Sequence, residues 1–131
     1  MPQKPVELIL ARQLATHLSI PIFVVDAEGT LLFYNEPAEG MLGRRFDEAG
    51  EMRLDAWSTI FHPTDENGGR LPPEGLPLVI ALRERRPAHR VIGITGLDGV
   101  RKLIEVTAFP IEGLGGRHLG AVAAFWDMEH A

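Results

Sequence analysis

A chain of 131 residues, 45% hydrophobic and 24% charged, suits one globular domain whose core needs neither disulfides nor metal. Its net charge of −5 argues against a nucleic-acid partner, because such proteins carry a basic face. With no cysteine, thiolate catalysis, disulfides, Cys-ligated zinc and iron–sulfur clusters are excluded. The apolar runs 18–25 and 119–126 are too short to span a membrane, and no leader segment is visible, so a cytoplasmic protein with no membrane partner is expected.

Residues 5–18 show a helical stripe. Val6, Leu10, Leu14 and Leu18 recur four apart, and Leu8, Ala11 and Ala15 widen the apolar face. Pro21 stops the helix through its effect on the preceding residue. The stripe packs on its own domain or pairs with a second copy; its width fits either. Ile22–Val25 is apolar on both faces and reads as a buried strand. Asp26-Ala27-Glu28-Gly29 is a turn with Gly29 at positive φ, and Leu31–Tyr34 returns antiparallel. Asn35 caps a short helix that ends at Gly43.

Residues 44–54 have no clear period and read as loop. Asp55 is expected to cap a short helix with Trp57, Ile60 and Phe61 on one side. Two turn-rich stretches, 62–69 and 71–75, precede a helix over 76–85 with Leu78, Val79 and Leu82 facing inward. Arg83, Glu84, Arg85 and Arg86 then form its solvated end, where cations suit the helix dipole. Three strands close the chain. Residues 90–95 place Ile92 and Ile94 on one face, and Asp98-Gly99 marks a two-residue turn. Residues 102–109 place Ile104, Val106 and Ala108 on one face, with Glu105 and Thr107 outward. Residues 119–126 are small and apolar on both faces. The order β-β, short helices, β-β-β predicts an α+β fold: a five-stranded antiparallel sheet with helices on one face. Because two strands lack alternation, the second face also needs a cover, supplied by the N-terminal helix or a partner subunit.

This ordered set of pieces resembles the PAS domain family over about residues 19–127. Ile22–Thr30 is similar to the first PAS hairpin, Tyr34–Gly43 to its Asn-capped helix, and Phe61-His62-Pro63-Thr64-Asp65 to a helix-end segment. Leu76–Leu82 resembles the long PAS helix, and Asp98-Gly99 with Gly120–Asp127 the closing hairpin and last strand. The resemblance divides the chain into an N-terminal amphipathic helix over 1–18, for dimerisation or sheet covering, a PAS-like domain over 19–128, and a tail over 129–131.

The resemblance also implies a cavity between the helices and the concave side of the sheet. Its expected lining is Val24 or Val25, Phe33, Trp57, Phe61, Leu78, Val79, Leu82, Ile92, Ile94, Ile104 and Val106. Such a lining suits a small apolar ligand, unless the side chains fill the space completely. It implies a regulatory module that senses a ligand, light or redox state, or that dimerises. Val6, Leu10, Leu14 and Leu18 are the candidate seam of a homodimer. With the sequence stopping at Ala131, no output domain in cis is expected, and a signal leaves through the N-terminal helix, the dimer seam or a separate signalling protein.

No particular cofactor is indicated. A flavin adduct needs a cysteine. Haem needs an axial ligand, and residues 76–86, where the family's haem-binding members often supply it, hold no His. His62 and His89 only flank that helix, and His17, His118 and His130 have no partner spacing. His62, Asp65 and Glu66 do not complete a metal site. Ser58 and His62 lie four apart, but no acid orients the imidazole and no oxyanion donor is evident, so no catalytic residue and no enzyme activity are expected. A ligand-free interaction or adaptor domain is the alternative reading; a haem- or non-covalent flavin-binding sensor and a small α+β enzyme are further, less favoured ones.

Overall fold

The chain folds, in a computed structural model describing residues 5–128, into a five-stranded antiparallel sheet covered on both sides. Helix α1 spans Val6–His17, and the Pro5 carbonyl accepts the amides of Leu8 and Ile9 at its start. Strands β1 (Ile22–Asp26) and β2 (Leu31–Tyr34) follow as a hairpin. The turn between them is held by Asp26, whose Oδ1 accepts the amides of Glu28 and Thr30, with Gly29 at φ +88° as expected.

Helix α2 (Glu36–Leu42) begins at Asn35 and ends at Gly43 in the left-handed region. Residues 44–54 are not all loop: α3 (Phe46–Ala49) lies within them. Its cause is tertiary. The Glu39 carboxylate accepts the Phe46 amide at 2.7 Å, and the Phe46 ring packs edge-on against Phe33 and Tyr34. Helix α4 (Leu54–Ile60) starts earlier than expected: Arg53, not Asp55, is its N-cap, and Asp55 sits in the first turn where its charge suits the dipole. A short 3-10 turn at Pro73–Gly75 leads into α5 (Pro77–Glu84), with Pro77 at the first helical position.

Strands β3 (Ala88–Thr95), β4 (Arg101–Glu112) and β5 (His118–Asp127) complete the sheet, in the spatial order β2-β1-β5-β4-β3. The β3–β4 connection is longer than the two-residue turn suggested by Asp98-Gly99. Gly96 and Val100 close it with an amide–carbonyl bond at 3.0 Å, because the Leu97 amide is drawn away to the Leu42 carbonyl at the end of α2. Both sheet edges carry a single bridging residue. Met52 pairs with Leu31 on β2, and Thr64 pairs with Gly93 on β3, so neither edge is left fully open.

Alternation sorts the side chains into two cores. Phe23, Val25, Tyr34, Ile92, Ile104, Val106, Ala123 and Phe125 point toward α2, α4 and α5. Ile22, Val24, Leu32, Val122 and Ala124 point the other way, where Leu8 and Ala15 of α1 cover them. The second face is thus covered in cis, at the β2-β1-β5 end. The inward side of α1 is Leu8, Ala11 and Ala15. Val6, Leu10 and Leu14 face solvent, at 61%, 56% and 62% exposure, and Leu18 is also exposed. The tail over 129–131, with His130, lies outside the described residues.

Candidate ligand cavity

The cavity lies between the sheet and the start of α5. Ile92 and Ile94 of β3, Ile104 and Val106 of β4, and Ala123 and Phe125 of β5 form its floor, with Phe23 of β1 at one side. Trp57 and Ser58 of α4, Phe61, Pro63, Leu42 and the segment Leu76-Pro77-Leu78 form its roof. The cavity volume is about 80 Å³. This is room for a few non-hydrogen atoms, below the roughly 300–1,000 Å³ of sites for drug-sized ligands.

Each wall is fixed by its own element. Trp57 is held by its indole Nε1, which donates to the Gly29 carbonyl at 2.7 Å, tying α4 to the β1–β2 turn. Phe61 closes α4, and its carbonyl accepts the Thr95 amide at 2.7 Å, which fastens the roof to the end of β3. Phe23 stacks on Tyr34 and meets Phe125 edge-on, each pair of centroids 5.4 Å apart. Among the described residues no charged side chain lines the space. The nearby Tyr34 hydroxyl donates to the Arg44 carbonyl at 2.9 Å, and burial, helped by the Glu39 charge, pushes its pKa up to about 12.

Of the expected lining, Trp57, Phe61, Leu78, Ile92, Ile94, Ile104 and Val106 meet around the cavity. Val25, Val79 and Leu82 are buried in the same core but do not border it. Leu82 lies one helical turn beyond Leu78 and packs toward the β1–β2 turn, where a Cβ on Gly29 would stand 3.1 Å from its Cδ2. Val25 pairs with Leu31 at that same end of the sheet. Val79 is turned aside by the roughly 100° step that follows Leu78 on a helix.

Phe33 needs a larger correction. It pairs with Val24 and faces α1, where the Arg12 guanidinium lies 4.7 Å from its ring centroid. A register shift between Val24 and Val25 sets this side: one extra residue in β2 reverses the parity expected from the strand alone. Sequence reasoning also missed Phe23, Leu42, Ser58, Pro63, Leu76, Pro77, Ala123 and Phe125. The apolar periodicity of α4 marks the place of Ser58 next to Trp57, but periodicity discounts a polar residue inside an apolar face.

Among the described residues no histidine lines the cavity. His62 is exposed at φ +47° after α4, and His17 is exposed on α1. His89 is not simply solvated: its Nε2 lies 2.8 Å from Glu105 Oε2 on the outer face, where the Trp126 indole also donates to Glu105 at 2.9 Å. Glu105 therefore faces outward, as its alternation with Ile104 and Val106 predicts. Among the described residues no group of three or more His, Asp or Glu is placed to hold a metal ion, and no helix is long and apolar enough to cross a membrane.

A five-stranded antiparallel sheet of order 2-1-5-4-3, roofed by short helices over an apolar cavity, defines a class of small α+β modules. The sequence matches the family described as PAS fold over residues 15–130, and the chain belongs to that family. Solved structures agree on the fold. The PAS domain of a protein from Colwellia psychrerythraea is 18% identical, with a TM-score of 0.67, covering 95% of this chain and 98% of that one. The PAS domain of Bordetella pertussis BvgS is 18% identical, with a TM-score of 0.62 over 93% and 85% of the two chains. The Rhodobacter sphaeroides LOV protein is 14% identical, with a TM-score of 0.72 over 95% and 68%. No curated protein matches the sequence.

Proposed function

We propose that this chain is a non-catalytic sensory and regulatory module in signal transduction, acting as a homodimer and responding to a small apolar ligand in the cavity. Membership of the PAS fold family supports the sensory role. The observation that carries the ligand reading is the space of about 80 Å³ walled by apolar side chains from the sheet, α4 and α5. Cores normally close such space. Val6, Leu10 and Leu14, exposed on one side of α1, supply the dimer seam. Helices that bury one stripe on their own sheet and show a second to solvent suit pairing with a copy of themselves. A separate signalling protein then reads the dimer.

The small cavity also favours a second reading, a ligand-free interaction domain. Native mass spectrometry of protein purified without added cofactor separates the quaternary part of the two. The sensor reading expects a dimer mass that persists on dilution. A monomer at all concentrations removes the seam and leaves an adaptor role.

A further inference from the structure

One polar group in the cavity wall has no partner among the described residues. Ser58 is 1% exposed, and its Oγ makes no hydrogen bond to them. A serine inside a helix commonly bonds back to the carbonyl one turn earlier. The next residue does this: Thr59 Oγ1 donates to the Asp55 carbonyl at 3.0 Å, with the Ala56 carbonyl at 3.2 Å. Ser58 does not. The other polar side-chain atom in the wall, Trp57 Nε1, is already committed to Gly29. A buried hydroxyl without a partner destabilises the fold, and an alanine in its place would not.

We propose that the cavity takes a small neutral molecule with an apolar body and a single hydrogen-bonding oxygen, and that the Ser58 hydroxyl holds that oxygen. This rests on the ligand reading above and adds the chemical class. With no cation among the lining residues, a buried carboxylate or phosphate would go uncompensated, so the ligand is uncharged. Size sets the rest. A cavity of about 150 Å³ takes up benzene, so about 80 Å³ fits roughly three or four non-hydrogen atoms before side chains must give way. Short ketones, aldehydes and alcohols meet both conditions. Ser58 and Pro63 also border an outer groove with Thr59, His62 and Arg70, so this wall is the one shared by the cavity and the groove.

Two probes of equal shape test the assignment: propanone and 2-methylpropene, titrated while the methyl resonances of Leu78 and Ile104 are followed by NMR. Propanone should bind the wild type about tenfold more tightly than it binds Ser58→Ala, the worth of one hydrogen bond. The two proteins should bind 2-methylpropene alike. Without probe, Ser58→Ala should melt at or above the wild-type temperature. Equal propanone affinity in the two proteins would overturn the Ser58 assignment while leaving an apolar ligand in place. Loss of both probes in the variant would make Ser58 a packing residue and overturn it too. A variant less stable than wild type would show the hydroxyl already satisfied by water, and the assignment would fall in that case as well. Failure of both probes to shift the wild-type methyls would overturn the ligand reading itself.

Discussion

Asn35 does more than cap a helix. Its Oδ1 accepts the amides of Ala38, at 3.3 Å, and Ile22, at 2.9 Å. Its Nδ2 donates to the carbonyls of Ala15 and Ile20 at 2.9 and 2.8 Å. One buried side chain thus joins α1, the linker, β1 and α2. Asn35→Ala removes four hydrogen bonds, of whose backbone partners the Ala15 carbonyl keeps the Leu18 amide, and should cost about 2–4 kcal/mol in urea denaturation, a cap and buried hydrogen bonds together. It should also speed amide exchange at the end of α1; an effect confined to α2 would contradict the joining role. Phe33→Ala belongs to a different class. Were the ring core, its loss would cost about 3–5 kcal/mol. Set between Arg12 and Phe46, it should cost about 1–2 kcal/mol, one cation–π contact and one aromatic pair. Tyr34 gives a pH signature. Its folded pKa of about 12 exceeds the unfolded value of 10.0, so the folded state holds the proton more tightly. The stabilisation is complete below pH 10 and is lost as pH rises through 12, by about 2–3 kcal/mol. Tyr34→Phe should flatten that part of the stability–pH curve; a variant that follows the wild type there contradicts the burial of the phenol.

At the scale of elements, α1 separates two kinds of apolar residue. Leu8 and Ala15 are 3% and 1% exposed against the sheet, while Leu10 and Leu14 point to solvent. Replacing Leu10 and Leu14 by Glu should therefore leave the protomer folded, since these side chains make no part of its own core, and lower the melting temperature only by what dimerisation contributes. The same variant should halve the mass seen by light scattering; an unchanged mass excludes the seam. The elements also show what the sequence made legible. Strong local signals placed both hairpin strands, the Asn35 cap, Gly29, Gly43 and α5, because each depends on backbone geometry that nearby residues dictate. Helix α3 was hidden because its support, Glu39 and the rings of Phe33 and Tyr34, is tertiary. The side of Phe33 was hidden because a one-residue irregularity in pairing leaves no trace in alternation. The direction of the α1 stripe was ambiguous because two apolar sides compete on one helix.

For the whole molecule, the sheet acts as a partition. Its concave side holds the aromatic-rich core and the cavity, and its other side holds α1. The two are linked through β1, where Phe23 faces the cavity and its neighbours Ile22 and Val24 face α1. On the proposed sensor reading, a ligand held between α4, α5 and the sheet would bear on β1, whose other face packs against α1. Spacing between neighbouring strands of the sheet is strict at Gly120, at φ +151°, where a Cβ would overlap the Val25 carbonyl oxygen of β1. Gly120→Ala should force β1 and β5 apart.

A small apolar space of about 80 Å³ between the sheet, α4 and α5 underlies both the proposed sensor role and the part given to Ser58. A crystal structure of the protein under xenon pressure tests for that space most directly, because xenon enters apolar cavities without needing a polar partner. The expected result is xenon density between Trp57, Phe61, Ile104 and Val106. Crystals that take up no xenon there, with those side chains closed on one another, would contradict it.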